Sequence, residues 1–412
     1  MSHAEERGPE ALRMLVAGYD RAPSEECAYW LGLSVNRPDE QLMWFSRAIE
    51  RRPHFDAALL ARGLVYAVER HDDSNAIADF TAALRVNPRL GLAHFNRGFL
   101  QYRAGRLGEA LEDYSMAIRL DPALVVAHSS RAAVWRDLGE DDKARDDLDR
   151  GIELAPHEPL TWLSRADYRA ASGDLSGAMD DYARALEITD QPATALAGRG
   201  RIAWKRRDRA GALKDYDEAL TRDPRCTQAI YNRAQLWAEE GEAARAIAEF
   251  GRAIEFDPLF VNAYANRAGL LMAKGDVDGA IADYTTAIGI RPSASLHTNR
   301  GAAHRAAGRK EAALRDHGQA IALDPGLAQP YVNRAAIHLD EGRLDEALTD
   351  LSWAIERNPR IPEAYVNRAM IYEEQQRFGE AVEELKKALE VAPDGWVHRD
   401  AAERMKNRLM RK

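Results

Sequence analysis

The sequence predicts an all-α fold, a solenoid of antiparallel helix pairs, and three recurring features predict it. Helix-ending prolines stand at Pro53, Pro88, Pro122, Pro156, Pro224, Pro258, Pro292, Pro325, Pro359 and Pro393, and most neighbours are 34 residues apart. The gap of 68 after Pro156 is two periods, with Asp190 at the vacant place. Twelve residues before the proline an alanine recurs, from Ala76 through Ala110 and Ala144 to Ala381, and eight before it a large ring or leucine, such as Phe80, Tyr114, Tyr182 and Leu351. Five residues ahead of the recurring alanine comes a turn glycine at Gly105, Gly139, Gly173, Gly241, Gly275, Gly308 and Gly342. Such a period, with small residues where two helices approach closely, reads as helix, turn, helix.

Taken in order, residues 1–19 flank the array, with a helix expected over 8–19. The first repeat, 20–53, is degenerate, with Gln41 at the alanine position. One residue is added near 71–75 and one is lost near 293–296, and His317 breaks the ring-or-leucine series. Residues 394–412 close the array with WVHRDAAERMKNRLMRK, an amphipathic helix over 395–411 that can cover the last apolar face and turn its charges to water, as a terminal cap must.

The pattern resembles the tetratricopeptide repeat (TPR) over residues 20–393, as one continuous array of about eleven repeats. The resemblance implies a right-handed superhelix and a non-enzymatic scaffold that binds a partner protein or extended peptide along a concave face. It also implies that the second, fifth, sixth, ninth, twelfth and thirteenth residues of each first helix line that face. On those positions fall Asn96 and then Asn232, Asn266, Asn299, Asn333 and Asn367, whose amides can grip a peptide backbone; the alternative is that they bond only neighbouring helices. Leu60, Leu64, Phe95, Phe99 and Tyr102 give an apolar, aromatic stretch. Arg136, Arg201, Trp204, Lys205 and Tyr231 give a basic, aromatic one around RIAWKRRDRA, and Glu363, Glu373 and Glu374 an acidic end. A partner with an apolar anchor and an acidic segment would match the first two regions; the alternative is ordinary solvated surface. The co-chaperone carboxylate clamp is missing, because no fifth residue (Phe95, Ser129, Leu163, Ala197, Tyr231, Ala265, Thr298, Val332, Val366) is basic.

An arginine recurs as the seventh residue of the first helix in ten repeats, from Arg62 and Arg97 through Arg267 to Arg334 and Arg368. An acid precedes the second-helix ring in the same ten, as at Asp79, Asp113, Asp283, Asp350 and Glu384, and the degenerate repeat, with Trp44 there, has neither. Residue types that come and go together on antiparallel helices read as ion pairs within a repeat, exemplified by Arg97–Asp113, Arg267–Asp283 and Arg334–Asp350. A ladder of anion-binding arginines is the alternative.

Bulk properties narrow the rest. A chain with 46% hydrophobic and 30% charged residues folds and stays in water. Its net charge of -9 argues against general affinity for nucleic acid or anionic membrane. Two distant cysteines, Cys27 and Cys226, suggest neither a disulfide framework nor a zinc box. No signal peptide or membrane span is legible, so a cytoplasmic location is expected. No cofactor or enzyme activity is expected either. HRDAAERMKN lacks the Asp-to-Asn spacing of a kinase catalytic loop, GRGRI lacks a preceding strand, and the histidines form no metal-ligand pair with a third ligand. Oligomeric state stays open, as do two other functions: a self-assembling structural solenoid, or a regulatory subunit of an enzyme on another chain.

Overall fold

The structure, a computed structural model, describes residues 16–411 apart from Gly18. Among the described residues every regular element is an α-helix, and the chain forms two compact units, one ending at Ala212 and one beginning at Leu213. In the first unit the pairs are α1 (Glu25–Ser34) with α2 (Pro38–Arg51), α3 (Asp56–Val68) with α4 (Asp73–Val86), α5 (Gly91–Arg103) with α6 (Leu107–Leu120), α7 (Val125–Asp137) with α8 (Asp141–Leu154), and α9 (Pro159–Ala171) with α10 (Leu175–Ile188). The helices α11 (Ala193–Lys205) and α12 (Arg209–Arg222) follow, the latter crossing the division. The second unit pairs α13 (Thr227–Glu239) with α14 (Ala243–Phe256), α15 (Val261–Ala273) with α16 (Val277–Ile290), α17 (Ala294–Ala306) with α18 (Lys310–Leu323), α19 (Gln329–Asp340) with α20 (Leu344–Arg357), and α21 (Pro362–Glu374) with α22 (Phe378–Val391). A last helix, α23 (Arg399–Leu409), packs on α22.

Sequence sets each boundary. A proline forces the residue before it out of the helical region, so Asn87, Asp121, Asp257, Asp324 and Asn358 are the C-caps of their helices. Each of these also accepts a backbone N–H two residues on, at Arg89, Ala123, Leu259, Gly326 and Arg360, which shapes the loop to the next repeat. The turn inside a repeat needs one left-handed residue. Seven repeats place a glycine there, from Gly105 (φ 74°) to Gly342 (φ 70°); three others force His71 (φ 52°), Arg207 (φ 65°) and Gln376 (φ 60°) into the same region.

The recurring alanines and rings are the core, with Ala76, Phe80, Ala110, Tyr114, Ala246 and Phe250 fully buried. His317 is the misfit. It is 0% exposed, and neither ring nitrogen has a hydrogen-bond partner. Burial pushes its imidazole down to about 4.

The arginines join the two helices of a repeat. Arg62 donates through Nε and Nη2 to the two oxygens of Asp79, both at 2.8 Å, and the same fork joins Arg97 to Asp113, Arg131 to Asp147 and Arg165 to Asp181. In the second unit it joins Arg267 to Asp283, Arg300 to Asp316 and Arg334 to Asp350, at 2.7–2.8 Å. Where glutamate replaces aspartate the longer side chain spoils the fork: Arg233 reaches Glu249 through one nitrogen, and Arg368 reaches one oxygen of Glu384. Arg199 and Asp215 stand on either side of the division in sequence.

A third arm of the arginine ties several repeats to the one before. Arg62 Nη1 donates to Ser46, Arg97 to Thr81, Arg131 to Ser115 and Arg165 to Asp149, each partner 16 residues earlier. Arg233 reaches Asp217, and Arg300 reaches Thr285. Gly251 and Gly318 stand 16 residues before Arg267 and Arg334 and offer no acceptor. Three of the acids also accept a histidine from the first helix, as His94 Nδ1 at 2.7 Å from Asp113, His128 at 3.3 Å from Asp147 and His297 at 3.0 Å from Asp316. Burial raises the affinity of these carboxyls for a proton, but the arginine and histidine hydrogen bonds outweigh it and hold all three below the ordinary carboxylate range.

At the C-terminal end, Ala402, Met405 and Leu409 of α23 cover Ala381, Val382 and Leu385 and leave the charged side in water. The flanking helix expected over 8–19 lies almost wholly outside the described residues; Val16, Ala17 and Tyr19 are helical, and Tyr19 meets Trp44 edge-on at 5.0 Å.

Candidate functional site

The second, sixth, ninth and thirteenth residues of a first helix are spaced i, i+4, i+7 and i+11, so they share one helical face. Bonds between adjacent first helices show that these faces run side by side. Tyr102 Oη donates to Asp137 at 2.7 Å, Arg201 Nη2 to Asp167 at 2.7 Å, Asn266 Nδ2 to Tyr231 Oη at 3.0 Å, and Arg305 to Asp340 at 2.9 Å. The last repeat uses the C-terminal segment instead, with Trp396 Nε1 on Glu363 at 2.8 Å and Arg408 on Glu373 at 2.7 Å.

These bonds sort the residues expected to bind a peptide. In the first unit Phe99 is 45% exposed, whereas Phe95 packs on Tyr114 and Tyr102 is held by Asp137. Arg201 is neutralised by Asp167, which also accepts from Tyr182 Oη at 2.6 Å, so the positive charge left in this stretch is that of Lys205, Arg206 and Arg207. Trp204 is half-buried. Tyr231 belongs to the second unit, where it packs on Phe250 and Phe260.

The asparagines do not form a uniform row. Asn232 is 1% exposed and accepts from Gln228 at 2.8 Å, which removes it from the open face. Asn266 serves Tyr231, Asn333 accepts from Gln329 at 2.9 Å, and Asn96 in the first unit donates to its own helix at Leu92. Asn299 is exposed. Asn333 and Asn367 together line a cleft of about 330 Å³ with Gln329, Val332, Glu363, Val366 and Trp396. The cleft thus offers amides, a carboxylate and an indole beside two valines, with the guanidinium of Arg305 and the imidazole of His398 also on its wall.

Residue type alone missed three side chains that the structure leaves open. Leu92 (57% exposed), Val126 (37%) and Leu160 (50%) stand at the second position of three successive first helices, α5, α7 and α9. Their signal was their common place in the repeat, since scattered apolar residues carry little meaning singly.

No group of His, Cys, Asp and Glu with the makings of a metal site occurs among the described residues, and none of their helices is long and apolar enough to cross a membrane.

A family model of the ETO1 C-terminal domain matches residues 174–329, and a tetratricopeptide repeat model matches residues 66–124 and 332–395. No curated protein matches the chain. Among solved structures the chain is similar to a tetratricopeptide repeat protein from Parabacteroides merdae, with 19% identity over 61% of this chain and 98% of that one and a TM-score of 0.47. It is similar to yeast Tom70, with 15% identity over 98% and 96% of the two chains and a TM-score of 0.44. It is also similar to YrrB, described as a TPR protein with an unusual peptide-binding site, with 22% identity over 46% of this chain and 97% of that one and a TM-score of 0.36.

Proposed function

Because this chain is a tetratricopeptide-repeat protein, we propose that it is a non-enzymatic, cytoplasmic scaffold that captures a partner protein or extended peptide on the first-helix face. One observation carries the reading. The arginine, alanine and ring positions recur in both compact units, and asparagine recurs at position six, whereas positions two, nine and thirteen of the stripe change from repeat to repeat and keep large apolar side chains such as Leu92, Phe99 and Leu160 in water. A fold that needed those side chains would have repeated or buried them; an exposed and varied stripe suits a surface shaped for another molecule. The open stripe residues are Leu92, Phe99, Val126 and Leu160 in the first unit and Asn299, Asn333 and Asn367 in the second.

Affinity capture from an extract of the source cell tests this. Native chain is compared with a Leu92→Ser, Leu160→Ser, Asn299→Ala, Asn367→Ala variant and with a control altered at exposed second-helix residues, Arg145→Ala and Lys386→Ala. Both variants are first shown to be folded by circular dichroism. Partners lost only from the stripe variant support the reading, and partners lost only from the second-helix control overturn it. If neither variant loses a partner and light scattering grows with concentration, the chain is a self-assembling solenoid instead.

A further inference from the structure

Resting on that scaffold reading, we propose that the first unit takes an extended partner segment carrying large apolar residues about three apart, followed by a cluster of acidic residues.

Leu92, Val126 and Leu160 head α5, α7 and α9 in single file, each exposed at the second position of its helix, with Phe99 a further exposed ring on α5. Helices in contact lie about 8–10 Å apart. An extended chain covers that distance in about three residues. Beside the apolar file runs a polar one at the sixth position, Asn96, Ser130 and Ser164, all half-buried and able to meet a peptide backbone. Between α7 and α9 a cleft of about 160 Å³ opens among Ser129, Ala133, Arg136, Ser164 and Asp167. One row thus offers apolar contacts and the next offers hydrogen bonds, which suits a strand-like segment turned edgewise.

Charge decides the other end. Along α5, α7 and α9 each charged stripe residue has an opposite partner. Arg103 lies 3.6 Å from Asp73, Asp137 is held by Arg136 at 2.9 Å, and Asp167 by Arg201 at 2.7 Å. The row is neutral until α11 ends. There Lys205, Arg206 and Arg207 are exposed with no carboxylate partner among the described residues, while the neighbouring Asp208 is engaged by the N–H of Gly211. Lys205 is the thirteenth residue of its first helix, on the same stripe as Leu160 two helices back. Position thirteen lies eleven residues, about 16 Å, down the helix from the apolar row at position two, so these three adjacent unpaired cations complement acidic side chains placed about six residues beyond the last apolar one.

Fluorescence anisotropy on the full chain tests the assignment. The probe is a labelled synthetic peptide of about 15 residues, with leucines at every third position of its apolar half and an aspartate run after them, made in both chain directions. Two controls replace the aspartates by lysine or the leucines by serine. One direction of the probe should bind, with both controls about tenfold weaker and affinity falling as salt is added. Lys205→Glu with Arg206→Glu should weaken the probe about tenfold, and Leu92→Ser with Leu160→Ser likewise, whereas Asn299→Ala in the second unit should not. Equal binding of the lysine control, indifference to Lys205→Glu with Arg206→Glu, or no binding by either direction would overturn it. If the captured partners still vanish from the stripe variant while the peptides fail, only this assignment falls and the scaffold reading stands.

Discussion

At the head of the first helices, Leu92, Val126 and Leu160 stand in the first unit where Gln228, Asn262, Ser295, Gln329 and Glu363 stand in the second. Behind them the two units are built alike. Arg97 grips Asp113 as Arg267 grips Asp283, and Tyr114 is buried as Phe250 is. Burial and pairing constrain only the positions that face another helix, so the exposed stripe is free to differ. One unit shows an apolar row at the heads of its first helices and cations at the C-terminal end of α11, and the other an amide-rich row with Glu363 and Trp396.

The likeness behind the stripe can be broken most severely at the arginines. Replacing Arg267 by alanine removes the arginine fork from the largely buried carboxylate of Asp283 and should cost about 3 kcal/mol, and Arg97→Ala should cost less, because Asp113 keeps its hydrogen bond from His94. Chemical denaturation checks the size and the order.

His317 is where the units part company. The unfolded chain binds a proton near the ordinary 6.5, the folded chain only near about 4. The stability tied to His317 is therefore complete above pH 6.5 and is lost as pH falls toward about 4, a loss of roughly 3 kcal/mol. Asp316 and Asp350 favour its proton, while Arg334 and Arg305 oppose it. His304 and His338 are held low by burial and act in the same direction. The carboxyls of Asp113, Asp147 and Asp316 lie below 3.8, so their contribution fails only in stronger acid. Hydrogen exchange around α18 should thus accelerate near pH 5 before α6 or α8 is affected. His317→Phe should remove most of that sensitivity and add about 2 kcal/mol at neutral pH, since it leaves no buried nitrogen unpaired. Gly301 gives a ring room there, as Gly63 does for Phe80.

Two smaller changes would make the repeats more alike. Arg207→Gly or Gln376→Gly should stabilise by about 1 kcal/mol, because the turn already holds these residues left-handed. Gly318→Ser offers Arg334 the acceptor that Thr81 gives Arg97 and removes a helical glycine; its Cβ meets nothing within 4 Å. A gain of about 1 kcal/mol in urea denaturation is expected. The smallest effect belongs to the stripe, where Leu92→Ser and Leu160→Ser should alter stability by no more than about 0.5 kcal/mol.

The helix pairs were legible because eleven copies of one motif sit in one chain, and the absence of both arginine and acid from the degenerate repeat pointed to their pairing. The arginine's third arm was hidden, since its acceptors vary from Ser46 to Asp149 and vanish at Gly251. The first-helix stripe was legible as a set of positions, but which of its side chains stand free of partners within the chain was not. Tyr102, Arg201 and Asn266 look free in sequence, yet their partners lie 34 or 35 residues away and meet them only when adjacent first helices are laid side by side. Asn232 is occupied by Gln228, one helical turn earlier. Leu92, Val126 and Leu160 drew no notice as three ordinary aliphatics until their exposure aligned them.

Site-directed photocrosslinking in an extract of the source cell addresses the division between fold face and binding face most directly. A photoreactive amino acid is placed at Leu160 on the first-helix stripe or at Arg145 on the exposed side of a second helix. Crosslinks to another protein from position 160 and none from 145 are predicted. The reverse pattern would contradict the account and put the binding surface on the second helices.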